Sequence, residues 1–289
     1  MEHPIFELAP DHFPPLLKEI PDPPKKLYVR GALPDWNSLK FLTVVGSRKF
    51  TNYGREACEK LIWGLRGYPV AIVSGLALGM DAIAHQTALE AGLTTLAFPG
   101  SGLDPKVLYP ATNSRLAQDI LESGGALLSE FEPNFKATPY SFPRRNRLMA
   151  GMSNAVLIVE AEIKSGTLIT SKFATEYNRD VFTIPGSIFS KNSEGPHMLL
   201  RLGATPITKE ADLLEALGFS DENKEQSLEL KYKDCSSDEL KVIEILREPL
   251  SREDLLATLA MPIHKANTLL SVMEIKEMIK ETMGEMRLM

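Results

Sequence analysis

The chain predicts an α/β protein: an extended, doubly wound, mostly parallel sheet with helices on both faces, followed by a small helical domain. Three observations carry that prediction. From Phe41 onward, short apolar runs alternate with longer stretches of helical spacing, the pattern of successive βαβ units. The runs are apolar throughout rather than alternating with polar residues, as strands covered on both faces are. At 289 residues with a hydrophobic content of 44%, the chain is long enough to bury one large core and a smaller one. Together these define a Rossmann-like core.

The elements follow in order. Residues 1–40 are Pro-rich and read as a lead-in. Strands are expected over 42–45, 70–74, 94–99, 126–130, 155–160 and 181–184, within a core spanning 41–218. Between them, 53–65, 80–91, 114–123, 144–152 and 167–178 carry helical spacing, several ending at Gly. Residues 219–236 are polar and charge-dense and read as a linker. Beyond it, 237–246, 251–259 and 262–273 form three short helical patterns with Ser236 or Ser237 and Ser251 as N-caps. Residues 275–289 supply a wing, so 237–289 reads as a winged helix-turn-helix, with a plain three-helix bundle as the alternative.

Composition narrows the function. The net charge is -6, so a nucleic-acid site has to be a local patch on an acidic body. Cys58 and Cys235 form no metal-ligand pair, and the five histidines have no zinc spacing. No P-loop is present, and Pro105 interrupts the glycine pattern that a dinucleotide would need. No cofactor or metal is therefore expected. The N-terminus has no basic and apolar signal regions and the chain has no spanning run, which reads as a cytoplasmic protein without a membrane partner.

Against that acidic background, Phe142-Pro143-Arg144-Arg145-Asn146-Arg147 packs cations beside Tyr140 and Phe142. Arg supplies multi-donor contacts to phosphate and an aromatic ring stacks an unpaired base, a footprint for single-stranded nucleic acid; the alternative is a solvated charge run at a helix end. In an open parallel sheet, ligands bind beyond the carboxyl ends of the strands. There the chain places Gly46-Ser47-Arg48, the 75–79 loop, Gly100-Ser101-Gly102 and Ser165-Gly166-Thr167, with backbone N–H groups and a helix start to seat an anion. Asp81 and His85, four residues apart on one helix face, read as a local hydrogen-bonded pair in preference to a catalytic one. Glu130 and Glu160 end strands on the same edge, where each serves as an acid, caps a helix or orients an Arg.

These motifs, with Ser74 through His85, Phe98 through Asp104, Tyr109-Pro110, Ser129-Glu130-Phe131 and Ser165 through Thr170, resemble in order and spacing the DNA processing protein DprA (Smf) family over residues 14–217. The resemblance implies a recombination mediator that binds single-stranded DNA in natural transformation, protects it and helps load the RecA recombinase, with an extended Rossmann core that dimerises. It places a DNA pocket at Gly46, Ser47, Arg48, Phe142, Arg144, Asn146, Arg147, Ser165, Gly166 and Thr167. Two departures stand out. The helix-hairpin-helix or SAM-like domain that many members carry in front has no room before the first strand. His197, in Gly195-Pro196-His197, stands where members usually have Asn.

The rival reading is an enzyme of the nucleotide phosphoribohydrolase type, which shares the broad fold. Its catalytic Glu would fall at Thr170, and a hydroxyl does not replace a carboxylate in that acid/base step, so no catalytic residue is expected. A duplex reader is disfavoured by the ten acids against seven Lys or Arg over residues 237–289.

Overall fold

A computed structural model describes residues 3–219, 235–246, 250–259, 261–276, 278–282 and 284–288. The chain divides into two compact units, Met1–Asp221 and Glu222–Met289.

The first unit is built on a nine-stranded sheet. In chain order its elements are β1 (Ile5–Leu8), α1 (Pro15–Lys18), β2 (Leu27–Gly31), β3 (Lys40–Val45), α2 (Asn52–Trp63), β4 (Val70–Ser74), α3 (Met80–Glu90), β5 (Thr94–Ala97), α4 (Ser114–Glu122), β6 (Ala126–Ser129), α5 (Ser141–Met152), β7 (Ala155–Ile158), α6 (Thr167–Glu176), β8 (Asp180–Thr183), α7 (Glu194–Arg201), β9 (Thr205–Pro206) and α8 (Glu210–Ala216). The strand order is β1-β2-β6-β5-β4-β3-β7-β8-β9. Strands from β6 to β9 run parallel, while β1 and β2 pair antiparallel at one edge. The sheet is therefore doubly wound and mostly parallel, as expected. All six expected strands form, with ends moved by a few residues. The strand expected to reach Pro99 ends at Ala97, since Pro99 has no N–H to give a ladder.

Both faces of the sheet are buried, which is why its strands read as continuous apolar runs. Along β3, Phe41 and Val45 pack on one side with Ala71, Val73, Val156 and Ile158. Leu42 and Val44 pack on the other with Val70, Ile72, Ala155 and Leu157. This is the two-residue period of a strand repeated across its neighbours.

Residues 5–31, part of the Pro-rich lead-in of the sequence reading, add β1 and β2 to the sheet and pack against α5. Leu17 and Ile20 meet Gly151, where an added Cβ would lie 2.9 Å from Ile20 Cγ2. Arg179 fastens the same segment, donating to Leu16 O at 2.8 Å and Gly151 O at 3.3 Å.

The second unit comprises α9 (Ser237–Ile245), β10 (Leu250–Ser251), α10 (Arg252–Thr258), α11 (Ile263–Ile275), β11 (Ile279–Thr282) and β12 (Glu285–Leu288). Val242, Leu255, Ala266, Leu270, Met273, Ile279 and Met286 make its core. Ser236 and Glu239 close a capping box on α9, with Glu239 N donating to Ser236 Oγ at 3.3 Å and Ser236 N to Glu239 Oε2 at 2.8 Å. Ser251 caps α10 through Asp254 N at 3.1 Å. The strands pair in the order β10-β12-β11, so the tail forms a hairpin beside three helices. The linker expected over 219–236 falls, from 220 to 234, outside the described residues. Among the described residues, no helix is long and apolar enough to cross a membrane.

Candidate nucleic-acid interface

The strand order reverses between β3 and β7, with β4 on the far side of β3. Such a switch point leaves a crevice at the carboxyl ends of the two strands. A cleft of about 400 Å³ opens there, lined by the loops after β3 and β4, one face of α5 and the start of α6.

The floor of the β3 loop requires glycine. A Cβ on Gly46 would lie 2.7 Å from Met80 Cγ, at the start of α3, so the Met80 side chain packs directly on the loop and leaves no room for a Cβ. Ser47 closes a tight turn, its Oγ accepting from Lys49 N at 3.0 Å. That turn leaves Arg48 and Lys49 exposed at the rim. The Arg48 guanidinium stands 5.7 Å from the centroid of the Phe142 ring, a cation–π arrangement. Tyr109 meets the same ring at 5.6 Å and 53°.

Phe142 belongs to α5, whose first turn is seated on the β5 loop by Ser141 Oγ donating to Gly100 O at 2.5 Å. The basic run then splits by helical geometry. Phe142, Arg145, Asn146 and Met149 recur at i, i+3, i+4 and i+7, share one face and line the cleft. Arg144 and Arg147 do not. Arg144 Nε lies 3.2 Å from Glu130 Oε1 and its Nη1 donates to Tyr140 OH at 3.2 Å. Arg147, with a side chain only 6% exposed, pairs with an equally buried Glu130 and donates to Asp22 O at 2.8 Å. Both of these expected pocket residues are thus turned away from the cleft, toward Glu130 and, for Arg147, the N-terminal segment.

The opposite wall is the start of α6. Thr167 N donates to Ser165 Oγ at 3.2 Å, and Thr167 Oγ1 donates to Gly46 O at 3.1 Å, tying the loop after β3 to the start of α6. Asn146 Nδ2 reaches Gly166 O at 3.4 Å. Nothing lies within 4 Å of a Cβ built on Gly166, so its backbone faces open space at the positive end of the helix. Eight of the ten expected residues therefore meet around one cleft: Gly46, Ser47, Arg48, Phe142, Asn146, Ser165, Gly166 and Thr167.

The inner wall holds residues not singled out from the sequence as site residues. Arg145 donates to Phe98 O, and its guanidinium occupies the space where a Cβ on Gly75 would sit. Burial draws its pKa down to about 10, opposed by Asp81, so it stays charged at neutral pH. Burial likewise pushes the Asp81 carboxyl up, against the field of Arg145 and the N–H groups of Ala77 and Gly75. Those groups reach Asp81 Oδ2 at 3.4 and 3.1 Å. The Asp81–His85 pair expected from their spacing does not form: His85 Nδ1 is 2.7 Å from Thr95 Oγ1 instead. Buried there, His85 has its pKa drawn down to about 3.

The two strand-end glutamates take supporting parts. Glu130 orients Arg144 and Arg147. Glu160 accepts from Thr51 N at 2.9 Å and Asn192 Nδ2 at 3.3 Å at the head of α2. His197 Nε2 lies 3.0 Å from Gly186 O, holding the loop after β8.

The fold and the cleft together define a doubly wound α/β protein that gathers cationic, aromatic and glycine-bearing loops at its switch point. Residues 5–218 match the family model of DNA recombination-mediator protein A, and the chain belongs to that family. It is 42% identical over 226 residues to protein Smf of Escherichia coli, covering 76% of this chain and 59% of that protein, and so spans less than two thirds of it. It is 43% identical over 218 residues to DNA processing protein DprA of Streptococcus pneumoniae, covering 75% of each. The X-ray structure of the Streptococcus pneumoniae protein superposes with a TM-score of 0.67 at 40% identity over 74% of each chain. DNA processing protein A from Helicobacter pylori, whose structure concerns a unique single-stranded DNA binding mode, gives 0.67 at 31% identity over 75% of this chain and 98% of that one.

Proposed function

We propose that the chain is a recombination mediator that binds single-stranded DNA in the switch-point cleft, protects incoming strands and assists RecA loading in natural transformation. One observation carries this reading: Arg48 stands over Phe142 at the rim, facing an α6 start with open backbone. A cation, a stacking ring and an anion seat within one cleft are what a flexible strand with splayed bases requires. The strand's phosphates lie along Arg48, Lys49, Lys164 and the N–H of Gly166 at the α6 start, and Asn146 steadies the Gly166 turn. Arg144 and Arg147 hold α5 and the N-terminal segment in place and support the cleft from behind. Binding, rather than turnover, is the chemistry, and the core works as a homodimer in the cytoplasm.

The second unit serves as a winged-helix protein-interaction or regulatory module, and the core carries the DNA. Support comes from its acidic balance and from Ile263, Val272 and Ile275 exposed on α11, the helix that a duplex reader would make basic.

The test is a competition between single-stranded and duplex DNA for the full chain at two salt concentrations. Preference for the single strand, weakening as salt rises, is expected. Equal affinity for both forms contradicts the reading.

A further inference from the structure

The two walls of the cleft are joined behind it through one residue. Asn192 sits in the single 3₁₀ turn Lys191–Ser193, in the loop after β8, and is 8% exposed. Its Nδ2 donates to Lys49 O at 2.7 Å, in the turn that carries Arg48. Its backbone carbonyl accepts from Ala161 N at 2.8 Å, and Gly195 N donates back to Ala161 O at 2.8 Å, at the head of the loop that runs from β7 to α6. The strand order reverses between β3 and β7, so Asn192 ties together the two loops whose separation is the width of the cleft.

The tie is braced. Glu160, 3% exposed, accepts from Asn192 Nδ2 at 3.3 Å and from Thr51 N and Thr51 Oγ1 at 2.9 and 2.5 Å. Lys49 O and the Glu160 carboxylate are both acceptors, and an amide nitrogen has two hydrogens, so one side chain serves both and its orientation is fixed. Three carbonyls of the cation-bearing turn are held by three different elements: Gly46 O by Thr167 Oγ1 at 3.1 Å, Ser47 O by Met80 N at 3.2 Å and Lys49 O by Asn192. The first two hold the turn ahead of Arg48, and Asn192 holds it beyond Arg48. Without Asn192, Lys49 O keeps Ser47 Oγ at 3.0 Å, a bond inside the turn that lets the turn shift as a unit.

Resting on the single-strand reading above, we propose that Asn192 is a positioning residue that sets the spacing of the two walls and holds Arg48 and Lys49 at the rim, opposite the α6 start. A cation held in place before the strand arrives costs less ordering on binding. Affinity therefore depends on Asn192, although it touches no part of the strand.

The experiment titrates full-length protein with oligo-dT over a range of salt and records the melting temperature of each unliganded variant. It compares wild type, Asn192→Ala, Arg48→Ala, the double variant and Thr183→Val. The last removes a buried hydrogen bond between the neighbouring strands β8 and β7, Thr183 Oγ1 to Ile158 O at 2.8 Å, without touching either wall. Asn192→Ala is expected to weaken binding roughly three- to tenfold, the range for one hydrogen bond unmade, and to bring the salt slope toward that of Arg48→Ala. In the Arg48→Ala background its effect should shrink, because residues that act through one another are not additive. Thr183→Val should melt lower and bind as wild type does. Asn192→Ser, too short to reach Lys49 O but polar and at home in a turn, is expected to repeat the Asn192→Ala pattern and carries the test should the alanine variant fail to fold. An Asn192 effect that adds in full to that of Arg48→Ala, or an affinity loss no larger than that of Thr183→Val, overturns the positioning role and leaves single-strand binding intact. Failure of wild type to bind oligo-dT, or binding indifferent to Arg48→Ala, removes the strand from that rim and the proposal with it.

Discussion

Arg145 and Arg147 stand two residues apart and do unlike things, because a helix turns each residue about 100° from the last and sends i and i+2 to different faces. Arg147 forms an ion pair with Glu130 in which both side chains are 6% exposed. Removing one partner of a buried pair leaves an uncompensated charge. Arg147→Ala should therefore lower stability in urea unfolding by roughly 3–5 kcal/mol, whereas Arg48→Ala, exposed at the rim, should leave the transition in place. Phe142→Ala should weaken single-strand binding by about 1–3 kcal/mol if the ring stacks a base, read by fluorescence anisotropy. The residue types of the site were legible in the sequence. Their side was not: the run of cations marks α5 as basic, but only counting i, i+3 and i+4 from Phe142 separates Arg145 from Arg147. Glu130 also required the fold, since seventeen residues separate it from Arg147.

His85 adds a prediction on pH. Its folded pKa of about 3 lies below the ordinary value of 6.5, so the unfolded chain takes up the proton first. The stability from the neutral, buried ring is full above pH 6.5 and is lost as pH falls toward 3, at about 1.4 kcal/mol per pH unit. Asp81, raised by burial, works the other way, so the His85 contribution is read as the difference between wild type and a His85 variant over the window pH 6.5 to 5. His85→Gln should flatten the dependence of unfolding free energy on pH across that window; an unchanged slope would assign it elsewhere.

At the scale of elements, the parallel strands were legible because burial on both faces makes their sequences unbroken apolar runs. The antiparallel edge was not. β1 and β2 are short and lie among prolines, and composition there reads as irregular chain, although Leu27 and Val29 are fully buried. α5 begins at Ser141, three residues before the expected start, because Pro143 reads as a break. In a first turn the missing N–H has no partner to lose. At the head of α9, the capping box of Ser236 and Glu239 ties down the first turn. Glu239 carries a pKa held down to about 2 by Lys276 and Ser236, but Lys276 is half exposed, so solvent screens most of that pairing. Ser236→Ala should cost about 1 kcal/mol, seen as a lower melting temperature of the second unit.

At the scale of the molecule, the family match ends at residue 218, and the acidic balance lies beyond it. A fragment ending at Leu217 should keep single-strand affinity within a factor of a few, since few cations are lost and charge acts over a Debye length of about 8 Å. A hundredfold loss in a fragment still folded by circular dichroism would make the second unit a DNA reader. The most direct measurement on the central claim, that a single strand seats its phosphates at the rim of the switch-point cleft, is the salt dependence of binding for wild type and Arg48→Ala side by side. With the Arg48 contact removed, the slope of log affinity against log salt should fall by about 0.7 and the affinity should drop, with the unfolding transition unmoved. Identical slopes and affinities for the two proteins would contradict a strand at that rim.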